Sequence, residues 1–85
     1  MKIHFSKNSG RKYKTLSQEI QKTAGKQFIK LLENPKTISL QLKKMQGHPD
    51  IWEIRITKEY RTTLQIENDL YRIRKIGTHD ILKNP

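Results

Sequence analysis

The side chains in this 85-residue sequence best suited to chemistry on an anion are four arginines and a histidine close to its C-terminal end. Arg55, Arg61, Arg72 and Arg74 all fall within residues 51–80. A guanidinium is a planar fork of donors that stays charged at any physiological pH, a match for phosphate. His79 is the one residue near them whose ordinary pKa lets it give and take a proton near neutrality. Asp80 follows it directly. Adjacent side chains usually diverge, so an imidazole–carboxylate pair stands beside a plainer alternative, a loop histidine that orders a strand exit. His48 and Asp50, taken with His79 and Asp80, supply two imidazoles and two carboxylates, but their spacing fits no standard ligand pattern and we expect no metal site. His4 is expected to be structural. The sequence has no cysteine, which removes thiolate nucleophiles, zinc–thiolate sites and disulfides together. It contains no Ser-His-Asp arrangement, phosphate-binding glycine loop or dinucleotide fingerprint.

The arginines alternate with apolar residues. Trp52, Ile54 and Ile56, then Tyr60, Thr62, Leu64 and Ile66, then Tyr71 and Ile73 recur at the period of a sheet with one buried face. Glu53, Arg55, Arg61, Thr63, Gln65, Arg72 and Arg74 lie between them, so the other face should carry the guanidinium groups. Thr57-Lys58-Glu59 and Glu67-Asn68-Asp69 are short polar breaks, and Asn68-Asp69 can take the positive φ of a hairpin turn, which makes the three strands an antiparallel meander. Trp52 belongs to the apolar alternation and is expected to pack in the core rather than to stack on a base.

Upstream, Lys2–Phe5 reads as a short edge strand and residues 6–14 as a weak helix interrupted by Gly10. From Thr15 the signal strengthens. Leu16, Ile20, Ala24, Phe28, Leu31 and Leu32 form one helical stripe. Thr15 with Gln18 has the form of a capping box, and Asn34-Pro35 ends the helix. Gly25 inside it costs about 1 kcal/mol relative to alanine and marks a kink or a close approach to the sheet. Lys22, Lys26 and Lys30 form a basic ridge away from the core. Residues 35–47 connect to the meander, with Lys43-Lys44 and Gly47 preceding the turn sequence His48-Pro49-Asp50. The expected architecture is α+β: one domain over residues 1–85, with a mainly antiparallel four-stranded sheet, β-α(α)-β-β-β, covered on one face by helices.

Eighteen lysines and arginines against eight acids give a net charge of +10 at pH 7. Residues 1–44 carry eleven of the basic groups and only Glu19 and Glu33 of the acids, whereas residues 45–85 are nearly balanced. Such a field favours a polyanion, with nucleic acid ahead of a solvated lysine-rich face because the charges cluster. Nothing in the sequence suggests a leader or a membrane span, so the expected location is the cytoplasm.

The order of elements, the strand Ile51-Trp52-Glu53-Ile54-Arg55-Ile56, then Tyr60-Arg61 and Ile76-Gly77-Thr78-His79-Asp80, together resemble the RelE/ParE superfamily of type II toxins over essentially the whole chain. The Gly-Thr-His ending is similar to the YafQ branch. The resemblance implies a ribosome-dependent mRNA endoribonuclease that inhibits translation without a cofactor, through attack of a 2′-hydroxyl on the adjacent phosphate to leave a cyclic phosphate. It implies a cognate acidic antitoxin, and operator DNA as a ligand of the toxin–antitoxin complex. Arg55 and Arg61 match positions that hold the scissile phosphate. His79 matches the proton donor to the leaving 5′-oxygen, a position filled by arginine in RelE itself. Glu53 stands where RelE carries a lysine, and either Glu53 or His48 would serve as base. Lys22, Lys26, Lys30, Lys43, Lys44, Arg72 and Arg74 would contact RNA, with Asp80 as a further site residue. The last residues lack the aromatic that stacks on the message in several relatives. Two other readings share the fold: a ParE-like gyrase poison, against which His79 speaks, and a catalytically degenerate module that binds nucleic acid or an antitoxin.

Overall fold

The computed structural model describes residues Met1–Pro85. The meander forms where the alternation places it, as β3 (Trp52–Arg55), β4 (Tyr60–Glu67) and β5 (Leu70–Thr78), each antiparallel to the next. At the first turn the Thr57 hydroxyl oxygen accepts from the amides of Glu59 and Tyr60, at 3.2 and 3.1 Å. At the second, Asn68 takes φ 45°, the left-handed conformation that asparagine tolerates better than most residues.

Two features depart from the expected sheet. β1 (Lys2–Phe5) pairs with β5 in parallel, Lys2 opposite Leu70 and Phe5 opposite Ile73. A further strand, β2 (Lys43–Lys44), lies antiparallel on the outer side of β3. The sheet is therefore five-stranded and mixed, in the order β1-β5-β4-β3-β2. Two residues carry no readable alternation, which is why β2 left no sequence signal. β5 also holds one more residue than its partner: Thr63 sits opposite Lys75 and Leu64 opposite Ile73, so Arg74 is the extra residue of a bulge. The bulge resets the alternation and returns Ile76 to the core beside Ile73.

The helical layer consists of α1 (Lys7–Thr15) and α2 (Gln18–Glu33). The expected capping box does not form. Thr15 is the last residue of α1, and its hydroxyl donates to the Lys12 carbonyl at 2.7 Å. The cap of α2 is Ser17, whose hydroxyl oxygen accepts from the Ile20 amide at 3.2 Å. Between them Leu16 turns in an extended conformation and drops its side chain into the core, 8 % exposed. Ser6 caps α1, and the Ser6 and Ser9 hydroxyls donate to the carbonyls of Arg74 and Ile73 at 3.2 and 3.1 Å. Those carbonyls lie on the edge of β5 just where β1 runs out, so α1 replaces the missing strand.

Ala24, Phe28 and Leu31 of α2 face Ile54, Ile56, Leu64, Tyr71, Ile73 and Ile76 of the sheet, with Leu40 from a short 3-10 turn (Ile38–Leu40) closing one end. Burial of each large apolar side chain contributes about 1.5–3 kcal/mol. Phe5 stands edge-on to both Phe28 and Tyr13, at 5.4 and 5.6 Å between ring centroids. Trp52 is half-buried against this core, as expected. Leu32 and Ile66, assigned by periodicity to buried faces, are 41 % and 39 % exposed. Gly25 marks no contact, since a Cβ there would meet nothing within 4 Å.

Candidate functional site

The sheet register sorts the chemistry-bearing residues into rows. Arg55 of β3 lies opposite Arg61 of β4, which lies opposite Gly77 of β5, so three strands contribute one row at the end of the sheet. Thr78, the last residue of β5, pairs with Tyr60, and His79 follows it as the first residue of a 3-10 segment (His79–Lys83) with its side chain exposed. Asp80 is exposed beside it, with no side-chain hydrogen bond joining the two. Arg61 is held in place by one nitrogen only. Its Nη1 donates to the carbonyls of Thr57 (2.5 Å), Tyr60 (3.1 Å) and Lys58 (3.3 Å), which leaves Nε and Nη2 without protein acceptors. The result is a guanidinium fixed by its own hairpin turn with three of its five N–H donors still to be used. The Arg55 guanidinium has no protein acceptor at all.

The adjoining row contains Lys43, Glu53, Thr63 and Lys75. Here the sequence expectation of an open, arginine-lined face needs correction. Glu53 is only 7 % exposed, and its carboxylate pairs with the Lys43 ammonium at 3.5 Å. Thr63 is fully buried, and its hydroxyl donates to the Pro85 carbonyl oxygen at 3.2 Å. The Arg74 Nε donates to the same oxygen at 3.1 Å, and the Lys75 ammonium donates to the Asn84 carbonyl. The chain's own residues 79–85 thus lie across the middle of this face. Gly77 permits the crossing: a Cβ there would stand 2.8 Å from Cγ2 of Ile81. The four arginines consequently do not form one cluster. Arg74 serves the C-terminal segment, and Arg72, at the opposite end of the sheet, pairs with Glu67 at 3.2 Å.

Other residues singled out by sequence are also kept apart. His48 belongs to the turn between β2 and β3, where its amide donates to the Met45 carbonyl and its carbonyl accepts from Ile51. The row that starts β3, Trp52 opposite Leu64, lies four residues of β4 from the row of Tyr60 and Thr78, about 13 Å at the usual strand rise. His48 is therefore not brought to the row beside His79. No three histidine, aspartate or glutamate side chains come together in a way that could hold a metal ion. Lys44 lines a surface pocket with Asp50, Trp52 and Glu67 at the far end. Lys22, Lys26 and Lys30 are all exposed on α2, but only Lys26 and Lys30 line a cleft shared with Arg55. Sequence reasoning missed Gln27, which lines that cleft. Its Nε2 donates to the Arg55 carbonyl at 2.7 Å and the Ser39 carbonyl at 3.2 Å. The signal was present, because Gln27 occupies a core position of the stripe 24, 27, 28, 31, where a polar side chain must find partners. Only two ion pairs exist in the whole molecule, so most of the +10 charge is directed outwards.

The fold has counterparts of known structure. A YoeB/ParE toxin from Agrobacterium tumefaciens superposes with a TM-score of 0.78 at 15 % identity, over 93 % of this chain and 99 % of that one. The fold is RelE-like. A chain of the intact Escherichia coli RelBE toxin–antitoxin complex gives a TM-score of 0.73 at 19 % identity, over 89 % of this chain and 93 % of that one. One of the YoeB–YefM complex from Staphylococcus aureus gives 0.76 at 18 %, over 91 % and 94 %. No family model and no curated protein matches the sequence. The two helices and the five-stranded mixed sheet match that fold. No helix is long and apolar enough to cross a membrane.

Proposed function

We propose that the protein is the toxin of a type II toxin–antitoxin pair and that it cleaves messenger RNA on the ribosome. The observation that carries this reading is the single row Arg55, Arg61, Gly77, with His79 leaving the strand two residues beyond Gly77. The open Nε and Nη2 donors of Arg61 and the unpartnered fork of Arg55 hold the scissile phosphate and neutralise the charge that grows on it. The 2′-hydroxyl attacks that phosphate, the bond to the 5′-oxygen breaks, and the His79 imidazolium gives its proton to the departing oxygen. Glu53, in the adjoining row and held by Lys43, is the carboxylate available to take the proton of the attacking hydroxyl. His48 is left without a part in the reaction.

None of this chemistry requires a bound cofactor. The ribosome's part is to hold the message against a small protein that has a charged surface and no deep substrate groove. In two of the solved structures above, RelE is bound by RelB and YoeB by YefM, which favours an antitoxin partner here. A +10 surface makes an acidic one the best complement, and such a pair would bind operator DNA through its remaining basic charge.

The test is primer extension on a reporter message after induction of the wild-type and His79→Ala proteins, with and without ribosomes. Cuts that require both His79 and the ribosome are expected. Cuts that persist at full strength in His79→Ala would overturn the role of the histidine. Growth arrest without any cuts would point to a gyrase-type target instead.

A further inference from the structure

We infer that residues 81–85 are an autoinhibitory strap. Pinned across the outer face of the sheet, they shut the row that contains Glu53, and they must lift before that carboxylate can reach a substrate. This deepens the reading of Glu53 as the base of the reaction, and the inhibition rests on that reading.

The burial of Glu53 is what calls for a cover. Its neighbour Ile54 points into the core under the helices, so Glu53 lies on the opposite face, where neither helix can shield it. Its one ionic partner, the Lys43 ammonium, belongs to a side chain 69 % exposed, yet the Glu53 side chain itself is only 9 % exposed. The segment that crosses this face is the one after β5. Pro85 is buried, and its carbonyl oxygen accepts from the hydroxyl of Thr63, the residue directly opposite Glu53 on β4. A base must come within about 3 Å of the hydroxyl oxygen it serves, and a carboxylate so enclosed is out of reach of a hydroxyl carried on a polymer.

The hold on the strap is of a kind that can be released. Every hydrogen bond from the sheet to it is made by a side chain: Thr63 and Arg74 donate to the Pro85 carbonyl, and Lys75 to that of Asn84. No backbone–backbone hydrogen bond joins residues 79–85 to a strand, and none of His79–Lys83 is buried. Ile81, half-buried over Gly77, adds one apolar contact. Lys75 is exposed, so water competes for its bond. A segment held in this way opens locally at lower cost than the sheet beneath it. Thr78 stays paired with Tyr60 when the strap lifts, so the hinge falls beside His79, and Glu53 is uncovered without removal of the acid.

The experiment reads the accessibility of Glu53 directly. The whole protein is treated with a carbodiimide and glycine ethyl ester, and modification of each carboxylate is followed by peptide mass spectrometry. Glu19 and Glu59, both exposed, are the internal reference. In the wild-type protein Glu53 is expected to react at least about tenfold more slowly than either. Thr63→Val removes a donor to the strap without a change of charge, and Ile81→Ala loosens the strap from its own side. Together they are expected to raise the Glu53 rate about tenfold, through loss of one hydrogen bond and part of an apolar contact. Gln27→Leu, which weakens the fold away from the strap, is expected to leave that rate unchanged, so lifting is separable from general unfolding. The Thr63/Ile81 variant is also expected to cut message on ribosomes faster by about the same factor, since only the open fraction is competent. Three labelling results would each overturn the strap: Glu53 reacting as fast as Glu59 in the wild type, no gain in the Thr63/Ile81 variant, or an equal gain in Gln27→Leu. Faster labelling with slower cutting would mean that the segment positions His79, and would overturn the inhibition. Faster labelling with no cuts by either protein would refute the cleavage reading while upholding the closed face.

Discussion

Replacing Gln27 with leucine should be the most damaging conservative change in α2. The side chain is 5 % exposed, and its amide nitrogen spans two carbonyls on different elements, Arg55 at 2.7 Å and Ser39 at 3.2 Å. Each hydrogen bond is worth about 1 kcal/mol net, and an acceptor left unsatisfied costs about 1–3 kcal/mol. Water entering from the cleft can satisfy part of the loss, and the leucine gains about 1 kcal/mol of apolar burial. The balance is a destabilisation of about 2 kcal/mol. A chain of this length has a total stability of only about 4–13 kcal/mol. The midpoint of thermal unfolding should fall by about 10 °C, and urea titration followed by circular dichroism should show a lower midpoint at unchanged slope. A loss below about 0.5 kcal/mol would mean that the two carbonyls are as well served by water as by Gln27. The amide bridge would then not be what holds α2 to the end of β3.

Three further changes have signs fixed by the structure. Gly25→Ala should stabilise the protein by about 0.5–1 kcal/mol in a thermal melt, because the helix is regular there and the added methyl meets nothing within 4 Å. Gly77→Ala should do the opposite, costing about 1–3 kcal/mol as the new Cβ drives Ile81 off the sheet; limited proteolysis should then cut residues 79–85 faster than in the wild type. Tyr71 is buried and its phenol is raised above the ordinary value of 10.0 by desolvation, so folding opposes its ionisation. Stability is then complete below about pH 10 and falls as the pH rises through that value, and Tyr71→Phe should flatten this alkaline decline in a pH series of urea midpoints.

The elements that sequence made legible are those in which one local rule acts over several residues. Alternation over β3 and β4 identified Ile54, Thr62 and Leu64 as inward, and Asn68 announced its turn through the conformation it tolerates. The helical stripe found Ala24, Phe28 and Leu31. What escaped depends on partners distant in the chain. Ser17 caps α2 in place of Thr15 because α1 continues one residue further than its weak pattern suggests and takes Thr15 as its last residue, held by the sheet edge that Ser6 and Ser9 satisfy. The bulge at Arg74 is set by the twist and pairing of two strands, and no residue type encodes it. The exposed arginine face was read correctly as to side but not as to company. Thr63, Arg74 and Lys75 meet residues 84 and 85, and the alternation of β4 and β5 contains nothing about where a later segment will lie. Of the candidate site, sequence could bring Arg55 and Arg61 together by period, whereas the separation of His48 from His79 required the register.

The parallel pairing of β1 with β5 governs the order in which the protein can become itself. Residues 2–5 precede their partners, residues 70–73, by 68 positions, so the edge strand has no neighbour until β5 has been made. The same wait applies to α1, whose Ser6 and Ser9 hydroxyls bond to carbonyls of residues 73 and 74. Closing so long a loop is entropically costly and repaid only when β5 docks, which concentrates folding into one late step. A growing chain that ends before β5 holds neither its first strand nor its first helix, and lacks the final row of the sheet. The fold therefore delays competence until β5 can dock.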